Sequence, residues 1–140
     1  MKSGPIILIE DDEDDQGIME DVMNELKVPN KLIWFDRCSK AMQYLLTTTD
    51  QPFIILCDVN MPEQNGIEFK RQVDNDPYLR NKSIPFVFYS TSVQQDAVNE
   101  AYTKMTVQGY FKKRNSFEEI KKIMRLILDY WYECRHPNSA

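Results

Sequence analysis

Short apolar runs alternate along this chain with stretches in which apolar residues recur at helical spacing, and that alternation restricts the fold more than any other feature. The runs are Ile6 to Ile9, Leu32 to Phe35, Phe53 to Cys57, Phe86 to Tyr89 and Val107 to Phe111. They read as five strands. A strand with one face in water places polar residues at every second position, whereas mostly continuous apolar runs belong to strands covered on both faces, as in a parallel sheet. Parallel neighbours are joined by right-handed crossovers, which put helices on both sides. The expected fold class is therefore α/β, a doubly wound five-stranded parallel sheet.

The intervening stretches carry helical marks of their own. Ile18, Met19, Val22, Met23 and Leu26 form an apolar stripe in the first, and Met42, Leu45 and Leu46 in the second. A third helix is expected to begin near Gly66, to hold Ile67, Phe69 and Val73, and to end before Pro77; a fourth holds Val93, Ala97, Ala101, Tyr102 and Met105. In the last, Ser116 and Glu119 form an S-x-x-E capping box ahead of Phe117, Ile120, Met124, Ile127, Leu128 and Trp131. Five βα units result, with no internal repeat and no linker. A single domain over residues 1–140 is expected, with its core at about 5–134 and a polar tail at 137–140.

Lys and Arg number 17 against 22 Asp and Glu, for a formal charge of -5, which argues against a general binder of nucleic acid or anionic membranes. Cys38, Cys57 and Cys134 are widely spaced and form no C-x-x-C pair, so they indicate reduced thiols and neither a disulfide framework nor a zinc site. No apolar run approaches the ~20 residues that cross a bilayer, and Met1-Lys2-Ser3-Gly4 opens no signal peptide. A soluble, cytoplasmic protein is expected.

In open α/β sheets function gathers at the carboxyl ends of the strands, near the point where strand order reverses. The first strand runs directly into Glu10, Asp11, Asp12, Glu13, Asp14 and Asp15. Unit charges ~4 Å apart repel by roughly 1 kcal/mol even in water, and by more beside an apolar core, so a cation is wanted there. The third strand ends in Asp58, followed by Val59-Asn60-Met61-Pro62. If these two strands are neighbours, about 4.8 Å apart, Glu10, Asp11 and Asp58 reach one ion, and an Asn60 backbone carbonyl adds a ligand. Oxygen ligands without His or Cys suit Mg2+ or Mn2+. The fourth strand ends in Ser90-Thr91-Ser92 and the fifth in Lys112-Lys113. A carboxylate nucleophile, a divalent ion, a hydroxyl and an ammonium together make a site for a phosphoryl group. Asp12 is expected to cap the first helix, and Glu13 to Asp15 to meet its positive end and solvate it.

Taken in order, the pair Glu10 and Asp11, Asp58 before Val59-Asn60-Met61-Pro62-Glu63-Gln64-Asn65-Gly66, then Ser90, Tyr110 and Lys113, resemble the response regulator receiver domains of two-component signalling. The resemblance covers about Pro5 to Trp131 and suggests a stand-alone, flavodoxin-like (βα)5 receiver with strand order 2-1-3-4-5. It implies transfer of a phosphoryl group from a phosphohistidine of a histidine kinase or phosphotransfer protein to Asp58, with Mg2+ required. Asp11 then looks like the direct metal ligand, Glu10 a ligand through water, and Lys113 and Ser90 the phosphoryl contacts. Ser90 and Tyr110 would form the switch that alters the face made by the fourth helix, fifth strand and fifth helix. The resemblance implies a signalling phosphoacceptor and no enzyme beyond slow self-dephosphorylation, because neither Asn60 nor Ser92, flanking the site, supplies a general base. Output would go to a downstream protein or onward in a phosphorelay, since too little chain follows Lys113 for a DNA-binding module. The sole histidine, His136, lies in the tail, so the partner brings the phosphohistidine.

Two positions depart from the pattern. Arg114 stands where receivers usually carry a proline preceded by a cis bond; a cis bond before a non-proline residue costs roughly 3 kcal/mol, which favours a trans Lys113–Arg114 bond and a reshaped loop. Ser90 replaces the commoner threonine. Two other functions remain in view. A Mg2+-dependent hydrolase of the haloacid dehalogenase type wants a second Asp where Asn60 stands. A receiver-like docking module independent of phosphorylation is the main alternative. Gly4, Gly17, Gly66 and Gly109 form no nucleotide-binding loop. Tyr130, Trp131 and Tyr132 suit self-association or packing on the domain equally.

Overall fold

The computed structural model describes residues 2–91, 94–104 and 107–137. Five strands, β1 (Ile6–Ile9), β2 (Leu32–Phe35), β3 (Ile54–Cys57), β4 (Phe86–Ser90) and β5 (Gly109–Lys112), pair in parallel in the order β2-β1-β3-β4-β5. Between and after them lie α1 (Glu13–Glu25), α2 (Cys38–Thr47), α3 (Gly66–Asn75), α4 (Pro77–Lys82), α5 (Gln95–Lys104) and α6 (Phe117–Glu133). Alternate residues of the strands feed two cores, one on each face. Ile7, Ile9, Ile55, Cys57, Phe86 and Phe88 pack with α2 to α5, whereas Ile6, Leu8, Ile54, Leu56, Val87 and Tyr89 pack with α1 and α6. Every residue of β1, β3 and β4 is buried, which is why these runs carry no polar alternation.

Asp12 caps α1, its side chain accepting from Asp14 N and Asp15 N, and Ser116 caps α6 by accepting from Glu119 N at 3.2 Å. The short helix α4 was not expected. The third helix does end before Pro77, at Asn75, and Pro77 then occupies the first turn of α4, where its missing N–H costs no bond, while Asp76 caps that turn by accepting from Leu79 N. The expected fourth and fifth helices are thus α5 and α6. The fourth helix's apolar stripe is only partly described: Ala101 is buried and Tyr102 exposed, while Val93 and Met105, and Ser92 before them, lie outside the described residues, as does the side chain of Ala97. Leu46 is 43% exposed, off the buried face of α2 that Cys38, Ala41, Met42 and Leu45 form.

His136 does not trail away. It is buried, its Nε2 lies 2.7 Å from the Phe53 carbonyl, and its ring stacks on Phe53 beside Tyr132. The Tyr132 hydroxyl bonds to Asn30 Oδ1, and Asn30 Nδ2 donates to the carbonyls of Lys2 and Gly4. This clasp closes the edge of the sheet where the strands begin. Residues 138–140 of the expected tail lie outside the described residues.

Candidate functional site

The register of the sheet builds the site. Ile9 pairs with Cys57, and Asp58 N donates to the Ile9 carbonyl at 3.0 Å, so Glu10 and Asp58 leave adjacent strands side by side. Glu10, Asp11 and Asp58 each present a carboxylate oxygen, and these lie within 4.8 Å of one another. Glu10 and Asp58 are buried and Asp11 is exposed at the rim. Ser90 ends β4 and is fully buried; its Oγ donates to Asp58 Oδ1 at 2.7 Å. Asn60 N donates to the same oxygen at 3.0 Å.

Lys113 comes from the far side of β4. Its N–H donates to the Ser90 carbonyl at 2.9 Å, which fixes where its side chain starts. Its ammonium contacts Glu10 Oε2 at 2.5 Å, Asp58 Oδ2 at 2.9 Å and Asp15 Oδ2 at 2.9 Å. Burial alone would make this ammonium easier to deprotonate, but its bonds to Glu10, Asp58 and Asp15 outweigh burial and hold it above the usual lysine range. Glu10 responds in the opposite way. Burial pushes its carboxyl up to about 7, Lys113 restrains the shift and the charge of Asp58 adds to it. Four carboxyl groups, Glu10, Asp11, Asp15 and Asp58, gather around one ammonium, and an all-oxygen donor set of this kind fits a hard divalent cation.

The residues that the sequence pointed to, Glu10, Asp11, Asp58, Asn60, Ser90 and Lys113, therefore meet at one edge of the sheet. Tyr110 stands one layer away: it pairs with Phe88 across β4 and β5, and the two ring centroids are 5.4 Å apart. Burial and then the charge of Asp58 push its phenol up. Every peptide bond among the described residues is trans, Lys113–Arg114 included. Cys38, Cys57 and Cys134 are free thiols, and no helix among the described residues is long and apolar enough to cross a membrane.

Two residues at the site escaped the sequence reading. Asp15 lies in the acidic first turn of α1 as expected and also pairs with Lys113; its place on that turn is visible in sequence, but the direction the turn faces is not. In sequence Gly66 marks only a helix start. A Cβ there would lie 2.3 Å from the Asp58 carbonyl oxygen, so the start of α3 packs backbone to backbone under the end of β3. Its place at the end of the loop after Asp58 was the available signal.

Comparison with known proteins agrees with this geometry. Response regulator Rcp1 of Synechocystis sp. is 28% identical over 133 residues, 91% of this chain and 88% of the relative. The phosphorylated cyanobacterial phytochrome response regulator RcpA superposes with a TM-score of 0.84 at 26% identity, covering 96% of this chain and 98% of that one. The Mn2+-bound form of Rcp1 gives 0.82 at 26% identity, with the same coverage. The family model described as the response regulator receiver domain matches residues 6–125. With its strand order, its acidic edge and that match taken together, the chain belongs to the response regulator receiver domain family of two-component signalling.

Proposed function

We propose that the chain, as one receiver domain over residues 1–140, is a phosphoacceptor in which Asp58 takes a phosphoryl group from a phosphohistidine on a histidine kinase or phosphotransfer protein. The observation that carries this reading is the dressing of Asp58: Ser90 Oγ and Asn60 N on one carboxylate oxygen, Lys113 Nζ on the other. An Asp58 oxygen attacks phosphorus, the new P–O bond forms as the N–P bond breaks, and the electron pair returns to the imidazole of the partner. Lys113 and Ser90 are placed to follow charge onto the phosphoryl oxygens, which is most of what phosphoryl transfer asks of a protein. Asp11, Asp58 and the Asn60 carbonyl would hold Mg2+ or Mn2+, with Glu10 acting through water; when bound, the cation offsets phosphoryl charge. The Mn2+-bound form of Rcp1 supports, by similarity, a divalent cation in the fold.

Output follows from the same residues. Drawing the Ser90 hydroxyl toward a phosphoryl group frees space that Tyr110 fills by turning inward, and the face formed by α5, β5 and α6 changes for a downstream protein; about 2 added charges suffice to bias a balance of a few kcal/mol. The protein signals, and self-dephosphorylation is slow because Asn60 offers no general base. It works in the cytoplasm, where its kinase is reached, and does not itself bind DNA. Incubation with Mg2+ and a small phosphodonor should give an alkali-labile adduct by intact mass, absent in Asp58→Asn. No adduct on the wild type, or an undiminished one on the variant, would leave the docking-module reading.

A further inference from the structure

The last two residues of β4 hold two successive backbone amides of the loop after β5. Lys113 N–H donates to the Ser90 carbonyl at 2.9 Å, and Arg114 N–H donates to the Tyr89 hydroxyl at 3.2 Å. The first bond extends the ladder between strands. The second is of another kind, made by a side chain that rises from the strand to catch loop backbone. Neighbouring strand residues face opposite sides of a sheet. Ser90 accordingly turns to Asp58, while Tyr89 packs in the core beneath α1 and α6, in the cluster that holds Val87, Ile120 and Met124. Tyr89 is 6% exposed and lines the same cavity as Glu10, Asp15, Asp58, Lys113 and Arg114.

We propose that Tyr89 is a positioning residue for Lys113, its hydroxyl anchoring the Arg114 amide and so fixing the backbone from which the Lys113 ammonium reaches Asp58. The lysine's own contacts do not settle that direction. Glu10, Asp15 and Asp58 all draw the ammonium within 2.9 Å, on a flexible stem, and an arriving phosphoryl group adds another acceptor. What stays constant through that exchange is the backbone origin. A proline at 114 would have no N–H to give, and a phenylalanine at 89 no oxygen to receive it; Arg114 and Tyr89 supply both halves. Burial also pushes the phenol up, so it stays a neutral hydroxyl throughout the working range.

The kinetic consequence rests on Asp58 being the phosphoacceptor; the positioning itself does not. The test is Tyr89→Phe, which keeps the ring in the core, beside Tyr89→Leu, which does not. In both we expect faster hydrogen exchange at the Arg114 amide, a shifted 15N resonance of the Lys113 ammonium, and adduct formation with a small phosphodonor slowed about five- to tenfold, as small displacements of a reacting group do. Mg2+ affinity should stay within about twofold, because the carboxylates are untouched. An unmoved Lys113 resonance in Tyr89→Phe, or a rate lost only in Tyr89→Leu, overturns the proposal. If the wild type forms no adduct while Tyr89→Phe still shifts Lys113, the phosphoacceptor reading fails and the positioning stands.

Discussion

Asp15 and Lys113 tie the first turn of α1 to the loop after β5, carboxylate oxygen to ammonium at 2.9 Å. Asp15 is the exposed member of the lysine's three partners, its side chain 43% accessible against 5% for Glu10 and 6% for Asp58. Solvent screens such a pair, so Asp15→Asn should cost less than about 1 kcal/mol. Lys113→Met strands two buried carboxylates and should cost about 2–4 kcal/mol without added cation. Urea denaturation in chelator ranks the two. A larger loss for Asp15→Asn would mean that the ion pair is less screened than its exposure implies.

Ser90 has no access to water, and its hydroxyl donates to Asp58 Oδ1 at 2.7 Å. Ser90→Ala removes a donor to one carboxylate oxygen and should cost about 1–2 kcal/mol. Adduct formation should slow about ten- to a hundredfold if the donor also meets the transferring group. A rate equal to wild type, followed by intact mass, would confine Ser90 to a structural part.

Gly66 supports the site from below. A methyl group there must displace the Asp58 carbonyl, and backbone yields less readily than a flexible side chain. Gly66→Ala is expected to cost about 1–3 kcal/mol and to slow the adduct even though no reacting atom is altered. Retained stability with full activity would show that α3 can slide away freely.

Acid should reveal the His136 clasp. Burial holds the imidazole below its ordinary pKa of 6.5, so the folded state prefers it neutral; its contribution is complete above 6.5 and is lost as pH falls through the folded value. Glu10 acts in the reverse sense. Its folded pKa is raised from 4.5 to about 7, so without a cation its contribution is complete below 4.5 and is lost as pH rises through about 7. Subtracting the stability curve of His136→Asn from that of the wild type cancels Glu10. The difference should shrink as pH drops below 6.5; a flat difference would show that the clasp tolerates a charged ring.

The site was legible because strand ends are fixed by where apolar runs stop, and four of them carried Glu10 with Asp11, Asp58, Ser90 and Lys113. What sequence could not supply was the phase of one element against another. Asp15 looked like its acidic neighbours until α1 was docked against the β5 loop, and Tyr89 looked like one more core aromatic until Arg114 N–H came within reach. Pro77 marks the stop of α3 at Asn75, and preceded by a capping Asp76 it also starts α4, a second role that a proline shows only once its cap is in place. His136 carries no mark in the sequence because its partner, Phe53, lies far away in the chain and holds it by ring stacking and a carbonyl contact, which leave no periodic trace.

The indole of Trp34 is attached to the acidic edge: its Nε1–H donates to the Glu10 carbonyl at 2.5 Å, directly beneath the carboxylate cluster. Indole emission is sensitive to nearby charge, so the molecule carries its own optical probe of cation and fluoroberyllate uptake. Trp131, a residue of α6 packed against the core beneath α1 and α6, serves as an internal reference. A Mg2+ titration followed at the Trp131→Phe variant should keep its whole fluorescence change, whereas Trp34→Phe should lose it, giving a label-free readout for every variant above.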